Sequence, residues 1–190
     1  TNDIAAEHPD KVKEMRAMFL DEAQKYQVLP LNASVGARVA AARPSLTAGR
    51  NKLVYSRPMT GLPQGDAPYL LDTSYTITAD ITVPEGGAEG MIVTSGGRFA
   101  GWGFYLLEGK PVFLWNLLYL ERPKWEAPEA LTPGRHILEF DFKYDGSGVG
   151  TMAYNNFSGI GKSGTGTLKV DGKVVVTKQM EKTIPIILQW

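Results

Sequence analysis

The sequence predicts a mainly β fold, a β-sandwich preceded by one amphipathic helix. From about residue 51 onward, short apolar or alternating runs are separated by turns rich in Gly, Pro and Asp-Gly, which is the pattern of an all-β domain. Ahead of them, apolar residues recur at spacings of three and four, which indicates a helix. A chain of 190 residues with 43% apolar side chains can bury a core of this kind.

The first element is predicted to be a helix over residues 9–26. Pro9 suits a first helical position, because the N–H that it lacks would have no intrahelical partner there. One face carries the apolar residues Val12, Met15, Phe19, Ala23 and Tyr26. A lone helix of this length is marginal in water, so we expect this face to dock on the rest of the chain or on a partner. The residues VLPL at 28–31 end the helix, and 31–50 is interpreted as a connector.

The clearest strand is SYTITADITV at 74–83. Every second residue is apolar, and the apolar set is Tyr75, Ile77, Ala79, Ile81 and Val83. Such alternation is typical of a half-buried strand. Six further runs predict strands: GMIVTS, GWGFYLL, KPVFLWN, RHILEFDFKY, GTLKV and KVVVTK. Between them lie turns such as LEGK and YDGSG, and Asp171-Gly172 is a hairpin-turn dipeptide.

Composition excludes several classes of function. Lys plus Arg and Asp plus Glu both number 20, so no overall positive field attracts nucleic acid, and we expect no nucleic-acid partner. No window approaches the roughly 18 consecutive apolar residues of a membrane-spanning helix, so no membrane span is expected. The absence of cysteine excludes disulfides, thiolate metal sites and a cysteine nucleophile.

The stretch FSGIGKSGTGT at 157–167 contains Gly161, Lys162 and Ser163, the Gly-Lys-Ser of a phosphate-binding loop. That loop needs a glycine five positions earlier, where this chain has Asn156, and it must run into a helix. The residues that follow alternate like a strand instead. We therefore interpret the stretch as a connection between two strands.

The run EFDFK places Glu139 and Asp141 on one side of a strand, as laminarinase-type glycosidases do with their acids. The third acid of that pattern would fall at 143 or 144, which are Lys143 and Tyr144. Without it, the two closely spaced carboxyl groups of a retaining glycosidase are not assembled. We predict no glycosidase activity.

Two further patterns are incomplete. Neither His8 nor His136 has a third metal ligand nearby in the sequence, so no metal site is predicted. The residues SRPMTG at 56–61 are similar to the Cys/Ser-x-Pro-x-Arg signature of sulfatases, but Thr60 occupies the place of the essential arginine. We predict no catalytic residue in this chain.

Aromatic residues concentrate between residues 99 and 125. Strand parity puts Phe113, Trp115, Leu117 and Tyr119 on one side, and core packing explains most of the group. Exposed aromatic rings in β-sandwiches also stack on sugars. The candidate carbohydrate-binding residues are Trp125, Tyr119 and Trp102, and Trp125 beside Pro123 is the best candidate for an exposed ring.

A series of longer motifs runs through nearly the whole chain. They are NDIAAEHPDKVKEM, VLPL, RPSLTAGR, SYTITADITVPEGGAEGMIVTSGGRFAGWGFYLLEGKPVF, LTPGRHILEFDFKYDGSG and GTGTLKVDGKVV. In order and spacing these motifs resemble the C-terminal region of bacterial arylsulfatases, the type I, formylglycine-dependent class. They are structural rather than catalytic motifs.

The resemblance implies a concanavalin A-like or laminin G-like jelly roll. It divides the chain into an amphipathic helix at 1–30, the tail of a missing sulfatase catalytic domain, then a connector at 31–50 and an accessory β-sandwich at 51–190. In such enzymes the formylglycine and the calcium ligands lie in the catalytic domain, so we expect no cofactor in this chain. A periplasmic or secreted location is implied if the parent enzyme carries a signal peptide.

The partner implied by the resemblance is the sulfatase catalytic domain or a complementing polypeptide. The chain ends in the strand-like run TIPIILQW at 183–190, and the family continues beyond it, so we expect a truncated sandwich with an unpaired edge near NKLVYS at 51–56. Self-association is the expected consequence. Two alternatives stay open: a stand-alone lectin-like carbohydrate-binding module whose partner is a glycan, and a packing or oligomerisation domain.

Overall fold

The computed structural model describes residues 2–31, 34, 46–63, 66–68, 70–146 and 161–183. The chain divides into two compact units, Thr1–Ala67 and Pro68–Trp190. The connector at 31–50 lies mostly outside the described residues, and so does the terminal run at 184–190 on which the expectation of a truncated sandwich depends.

The first unit contains the helix α1, Pro9–Lys25, after a short 3₁₀ turn at Ala5–Glu7. Pro9 is its first residue, as predicted, and His8 stands at the N-cap without a side-chain capping hydrogen bond. Of the predicted apolar face only Ala23 is buried, and the other four residues are exposed. No described helix is long and apolar enough to cross a membrane.

The second unit contains eight described strands in two antiparallel sheets. The strands are β1 Tyr75–Val83, β2 Gly90–Gly96, β3 Gly101–Leu107, β4 Lys110–Asn116, β5 Lys124–Glu126, β6 Gly134–Tyr144, β7 Gly164–Val170 and β8 Lys173–Met180. Sheet A has the order β1-β6-β7-β8, and sheet B is the meander β2-β3-β4-β5. The prediction of a mainly β fold with one helix is confirmed.

The sequence periodicity matches the burial of the strands. In β1 the predicted apolar residues point inward and the threonines point outward. The predicted runs GWGFYLL and KPVFLWN coincide with β3 and β4. A strand, β7, follows Lys162 where a phosphate-binding loop would need a helix.

The structure differs from the sequence prediction at the start of the β region and in one short additional strand. The described residues between 51 and 74 form no strand, so the β region begins at Tyr75 rather than near residue 51, and NKLVYS is not a strand. The three-residue β5 was not predicted, because KWE is too short to show a period.

The two sheets pack against each other through one aromatic core, as the layers of a sandwich do. Phe113 of sheet B stacks on Phe140 of sheet A with ring centroids 3.6 Å apart. Trp125 lies edge-on to both rings, and its Nε1–H donates to the carbonyl of Gly166 at 2.9 Å. A side chain at Gly166 would meet the Trp125 ring at 2.6 Å, so glycine is needed for this close approach.

Candidate functional site

The candidate site lies where the β2-β3 and β4-β5 connections meet at one end of sheet B. The first connection is the hairpin loop at 97–100, and the second is the tight turn at 117–121. Exposed apolar side chains lie on both connections, and each connection carries an exposed arginine, Arg98 in the loop and Arg122 directly after the turn.

Two facing glycines close the β2-β3 hairpin. Gly96 pairs with Gly101, and both have positive φ, at 98° and 138°. A Cβ at Gly96 would lie 2.3 Å from the Ala100 carbonyl oxygen, and one at Gly101 would lie 2.2 Å from the Ser95 carbonyl oxygen. The loop therefore leaves the sheet through a narrow neck that admits only glycine.

The β4-β5 connection is a turn of unusual composition. Strand β4 ends at Asn116, and the Leu120 N–H donates to the Leu117 carbonyl at 3.0 Å. The two central residues, Leu118 and Tyr119, have φ of 54° and 62°. A type I′ turn requires positive φ at both central residues and therefore favours Asn-Gly and similar pairs. Bulky residues in this conformation are strained by roughly 1–2 kcal/mol each.

Asn116 joins the two connections. Its side-chain nitrogen donates to the Arg98 carbonyl at 2.8 Å and to the Gly97 carbonyl at 3.3 Å. Its side-chain oxygen accepts the Tyr119 N–H at 3.1 Å. Because Asn116 is buried, these bonds are expensive to lose, and they fix the turn relative to the hairpin loop.

The exposed cluster on these connections is called here the Tyr119 platform. It consists of Arg98, Phe99, Tyr119, Leu120 and Arg122. The Tyr119 side chain is 50% exposed, and Phe99 and Leu120 are 51% and 82% exposed. The Arg122 guanidinium carbon lies 4.3 Å from the Tyr119 ring centroid, and that of Arg98 lies 5.5 Å from it. The ring thus orders two cations through cation–π contacts.

A cleft of about 360 Å³ adjoins the platform. It is lined by Leu117, Glu121, Arg122, Pro123 and residues 179–182. The Glu121 carboxylate forms an ion pair with Lys182 Nζ at 2.5 Å across this cleft. Arg122 therefore belongs both to the platform and to the cleft wall.

The structure separates the three predicted carbohydrate-binding residues. Tyr119 is exposed on the platform, whereas Trp125 is fully buried and Trp102 is 8% exposed and stacked on Phe113. The prediction that Trp125 is exposed is wrong, because β5 pairs Trp125 with Phe113 and turns the indole into the core. Strand alternation does not predict the side on which Tyr119 lies, because β4 ends at Asn116 and Tyr119 belongs to the turn that follows.

The acids of β6 are engaged in cross-strand contacts on the outer face of sheet A. Glu139 forms an ion pair with Lys169, and Asp141 accepts a hydrogen bond from Thr76 at 2.7 Å. Within the ranges that the structure describes, no three His, Asp or Glu side chains are placed to hold a metal ion.

His136 belongs to a second polar cluster beside the β7-β8 turn. Its Nδ1 lies 2.8 Å from Asp171 Oδ2, and its Nε2 lies 2.9 Å from the Thr132 carbonyl oxygen. Hydrogen bonds to Asp171 and Thr132 raise the pKa of His136, and the Ile137 N–H and His136 lower the pKa of Asp171. Both ring nitrogens face acceptors, so the imidazolium satisfies both.

Sequence reasoning missed Asn116, Arg98 and Arg122. The available signal was an arginine within three residues of each exposed aromatic, in GRFAG and in YLERP. Comparison with known proteins adds no functional assignment, since no protein-family model matches the chain and neither the curated proteins nor the solved structures contain a match.

Proposed function

We propose that this chain is the C-terminal accessory β-domain of an arylsulfatase-like sulfuric ester hydrolase and is non-catalytic by itself. The observation that carries the proposal is the long motif from SYTIT to KPVF, which is the core of the resemblance. In the structure this motif supplies β1, β2, β3 and the first part of β4. The resemblance therefore rests on the framework of both sheets. A concanavalin A-like or laminin G-like jelly roll is the topology that we propose for them.

The charged side chains of sheet A support a structural role for its outer face. Glu139 is paired with Lys169, and Arg135 binds Asp80 through Nε and an Nη at 2.8 and 2.6 Å. Paired groups on neighbouring strands stabilise a sheet surface. A general acid or base must lie within hydrogen-bond reach of the proton that it transfers, and these acids are instead within reach of side chains of the same sheet.

Helix α1 supports a role in association. Its face of Val12, Met15, Phe19 and Tyr26 is exposed, and an exposed apolar stripe is typical of a surface that binds another protein surface. In the proposed parent enzyme the catalytic domain is the partner of this face.

The genomic sequence upstream of this chain tests the proposal. We expect an open reading frame, in frame with this chain, that encodes Cys-x-Pro-x-Arg or Ser-x-Pro-x-Arg. An upstream frame without that signature would contradict the proposal.

An activity assay tests the non-catalytic part separately. With an aryl sulfate and calcium, we expect the chain alone to show no turnover above the blank, because the electrostatic groups that stabilise a sulfuryl transition state are supplied by the other domain. Turnover that survives repurification would show that this chain is itself an enzyme.

The second candidate function is a stand-alone lectin-like carbohydrate-binding module, and the exposed Tyr119 platform favours it. A free-standing module would bind glycan with no sulfatase signature upstream. The same sequencing experiment therefore separates the two functions.

A further inference from the structure

We propose that the Tyr119 platform binds a saccharide that carries sulfate groups. Arg98 and Arg122 would contact the anionic groups, and Phe99 and Leu120 would contact the apolar face of a sugar ring. This inference goes beyond the proposed function, because it applies equally to an accessory domain and to a free-standing module.

The two arginines of the platform are not paired with acidic side chains. Arg135, elsewhere in the second unit, is neutralised by a two-point contact with Asp80. In the part of the chain that the structure describes, neither Arg98 nor Arg122 forms an ion pair with a carboxylate. The neighbouring acid, Glu121, is bound to Lys182 instead. The platform therefore presents two guanidinium groups that retain their charge and their N–H donors.

The two guanidinium groups lie close to the same aromatic ring. Both guanidinium groups lie within 5.5 Å of the Tyr119 ring centroid, and Arg98 also lies 5.9 Å from that of Phe99. The N–H groups of a guanidinium lie in its plane, where they match the oxygens of a planar or tetrahedral anionic group such as sulfate. Tyr119 is in this view a positioning residue that reduces the side-chain entropy lost on binding.

The backbone that carries the platform is held in one conformation by the Asn116 side chain. The left-handed backbone at Leu118 and Tyr119 is held by the Asn116 hydrogen bond to the Tyr119 N–H. The same side chain holds the backbone of Arg98. Both arginine-bearing connections are thus fixed by one buried amide. Strained backbone maintained in this way clusters at binding sites.

The small number of cations and the apolar side chains beside them indicate the class of ligand. Nucleic acid is bound by extended basic surfaces that neutralise many phosphates, whereas this chain has zero net charge and two cations on a small platform. Exposed apolar side chains beside the cations, Phe99 and Leu120, suit a ring with both apolar and anionic groups. A sulfated saccharide provides both.

The test uses the whole chain and three matched polymers: dextran sulfate, carboxymethyl dextran and unmodified dextran, in affinity electrophoresis at physiological salt. We expect the strongest retardation in dextran sulfate. Removal of one guanidinium, in Arg98→Gln or Arg122→Gln, should raise the apparent Kd about tenfold, the effect of about 1.4 kcal/mol. Arg122→Lys should retain part of the affinity, because the charge remains and the planar fork is lost.

Arg135→Gln is the matched control, since it removes an exposed arginine outside the platform. We expect it to leave retardation unchanged within twofold. A thermal melt of each variant separates loss of binding from loss of folding. If an Arg→Gln variant does not fold, the Arg122→Lys variant and the polymer comparison still decide the question.

Several outcomes would overturn the proposal. Equal retardation in dextran sulfate and dextran would show binding without recognition of sulfate, and equal retardation in carboxymethyl dextran would assign a general anion site. An equal loss in Arg135→Gln would show nonspecific attraction. Tighter binding of a dT20 oligonucleotide than of dextran sulfate would assign a nucleic-acid surface. No retardation at all would reject the site, whatever the upstream reading frame encodes.

Discussion

Two turns, one in each sheet, both have positive φ at their two central residues but differ in the residues that occupy those positions. The β7-β8 turn at Asp171-Gly172 has φ of 51° and 78°, and the β4-β5 turn at Leu118-Tyr119 has φ of 54° and 62°. Asp-Gly is favoured in a type I′ turn, whereas Leu-Tyr is not. The first conformation is set by its own residues, and the second must be imposed by its surroundings.

The surroundings differ as this predicts. Asp171-Gly172 is itself suited to its turn, and the Asp171 carboxylate is left to join the turn to β6, where it accepts the Ile137 N–H at 2.8 Å and contacts His136. The Leu118-Tyr119 turn depends on the buried Asn116 and on the strand pairing that continues into β5. A turn that is maintained by its surroundings can present side chains that turns seldom carry, here an exposed tyrosine between two arginines.

The largest expected effect comes from removing a core side chain of β5, the strand that follows the Leu118-Tyr119 turn. Trp125→Ala should lower the free energy of unfolding by about 3–5 kcal/mol, because it removes a fully buried aromatic side chain of β5. Trp125→Phe, which keeps a ring but loses the hydrogen bond to Gly166, should cost less. Urea unfolding measures both. A loss below about 1 kcal/mol for Trp125→Ala would contradict the core position of the indole.

The second effect isolates Asn116. Asn116→Ala should cost about 2–3 kcal/mol, because it leaves the Tyr119 N–H and the Arg98 and Gly97 carbonyls without their partner. Asn116→Asp keeps an acceptor for the Tyr119 N–H and loses the donor to the 97–100 loop. This variant therefore distinguishes the bond to the turn from the bonds to the loop. Hydrogen exchange at the Tyr119 amide should accelerate in Asn116→Ala and stay slower in Asn116→Asp. Unchanged exchange in both variants would mean that strand pairing alone maintains the turn.

The two turns also differ in how well they can be predicted from the sequence. Strand periodicity and Asp-Gly chemistry are local, so β1, β3, β4 and the Asp171-Gly172 turn were predicted from residues that lie side by side. The Leu118-Tyr119 pair is not a turn-forming sequence, and the only local contribution to its conformation is the Asn116 side chain three residues before Tyr119. Its conformation depends on Asn116 meeting the 97–100 loop, which is distant in the sequence, and the same is true of the burial of Trp125.

The third effect comes from substitutions at positive-φ positions, one in each of the two turns. Leu118→Asn should stabilise the protein by about 0.5–1 kcal/mol, since asparagine tolerates the left-handed conformation better than leucine does. Gly172→Ala should destabilise it by about 1 kcal/mol through the backbone alone, because no heavy atom lies within 4 Å of the added Cβ. Thermal melts measure both. Changes of the same sign would show that side-chain contacts, not φ, govern these turns.

The smallest effect is a pH dependence confined to the Asp171-Gly172 side. Because the pKa of His136 is raised in the folded state, the stability that its protonated form contributes is fully present below about pH 6.5. This stability is lost as the pH rises through the folded-state pKa. The lowered pKa of Asp171 means that its contribution is present above about pH 3.9 and is lost as the pH falls through its lower folded-state pKa. The Tm difference between the parent chain and His136→Gln should therefore be widest at pH 4.5–6 and should narrow as the pH rises through the folded-state pKa of His136. A difference that is constant with pH would show that His136 contributes by packing alone.

The order of strands in the two sheets has a consequence for the route by which the chain folds. In sheet B each strand pairs with the next one along the chain, so its hairpins close short loops. In sheet A, β1 must pair with β6, and Val83 meets Gly134 only after all of sheet B has been traversed. Loop-closure entropy disfavours that contact early in folding. We expect the sheet B meander to be structured in the transition state and β1 to join late, so that Ile77→Val changes mainly the unfolding rate and Val112→Ala slows folding.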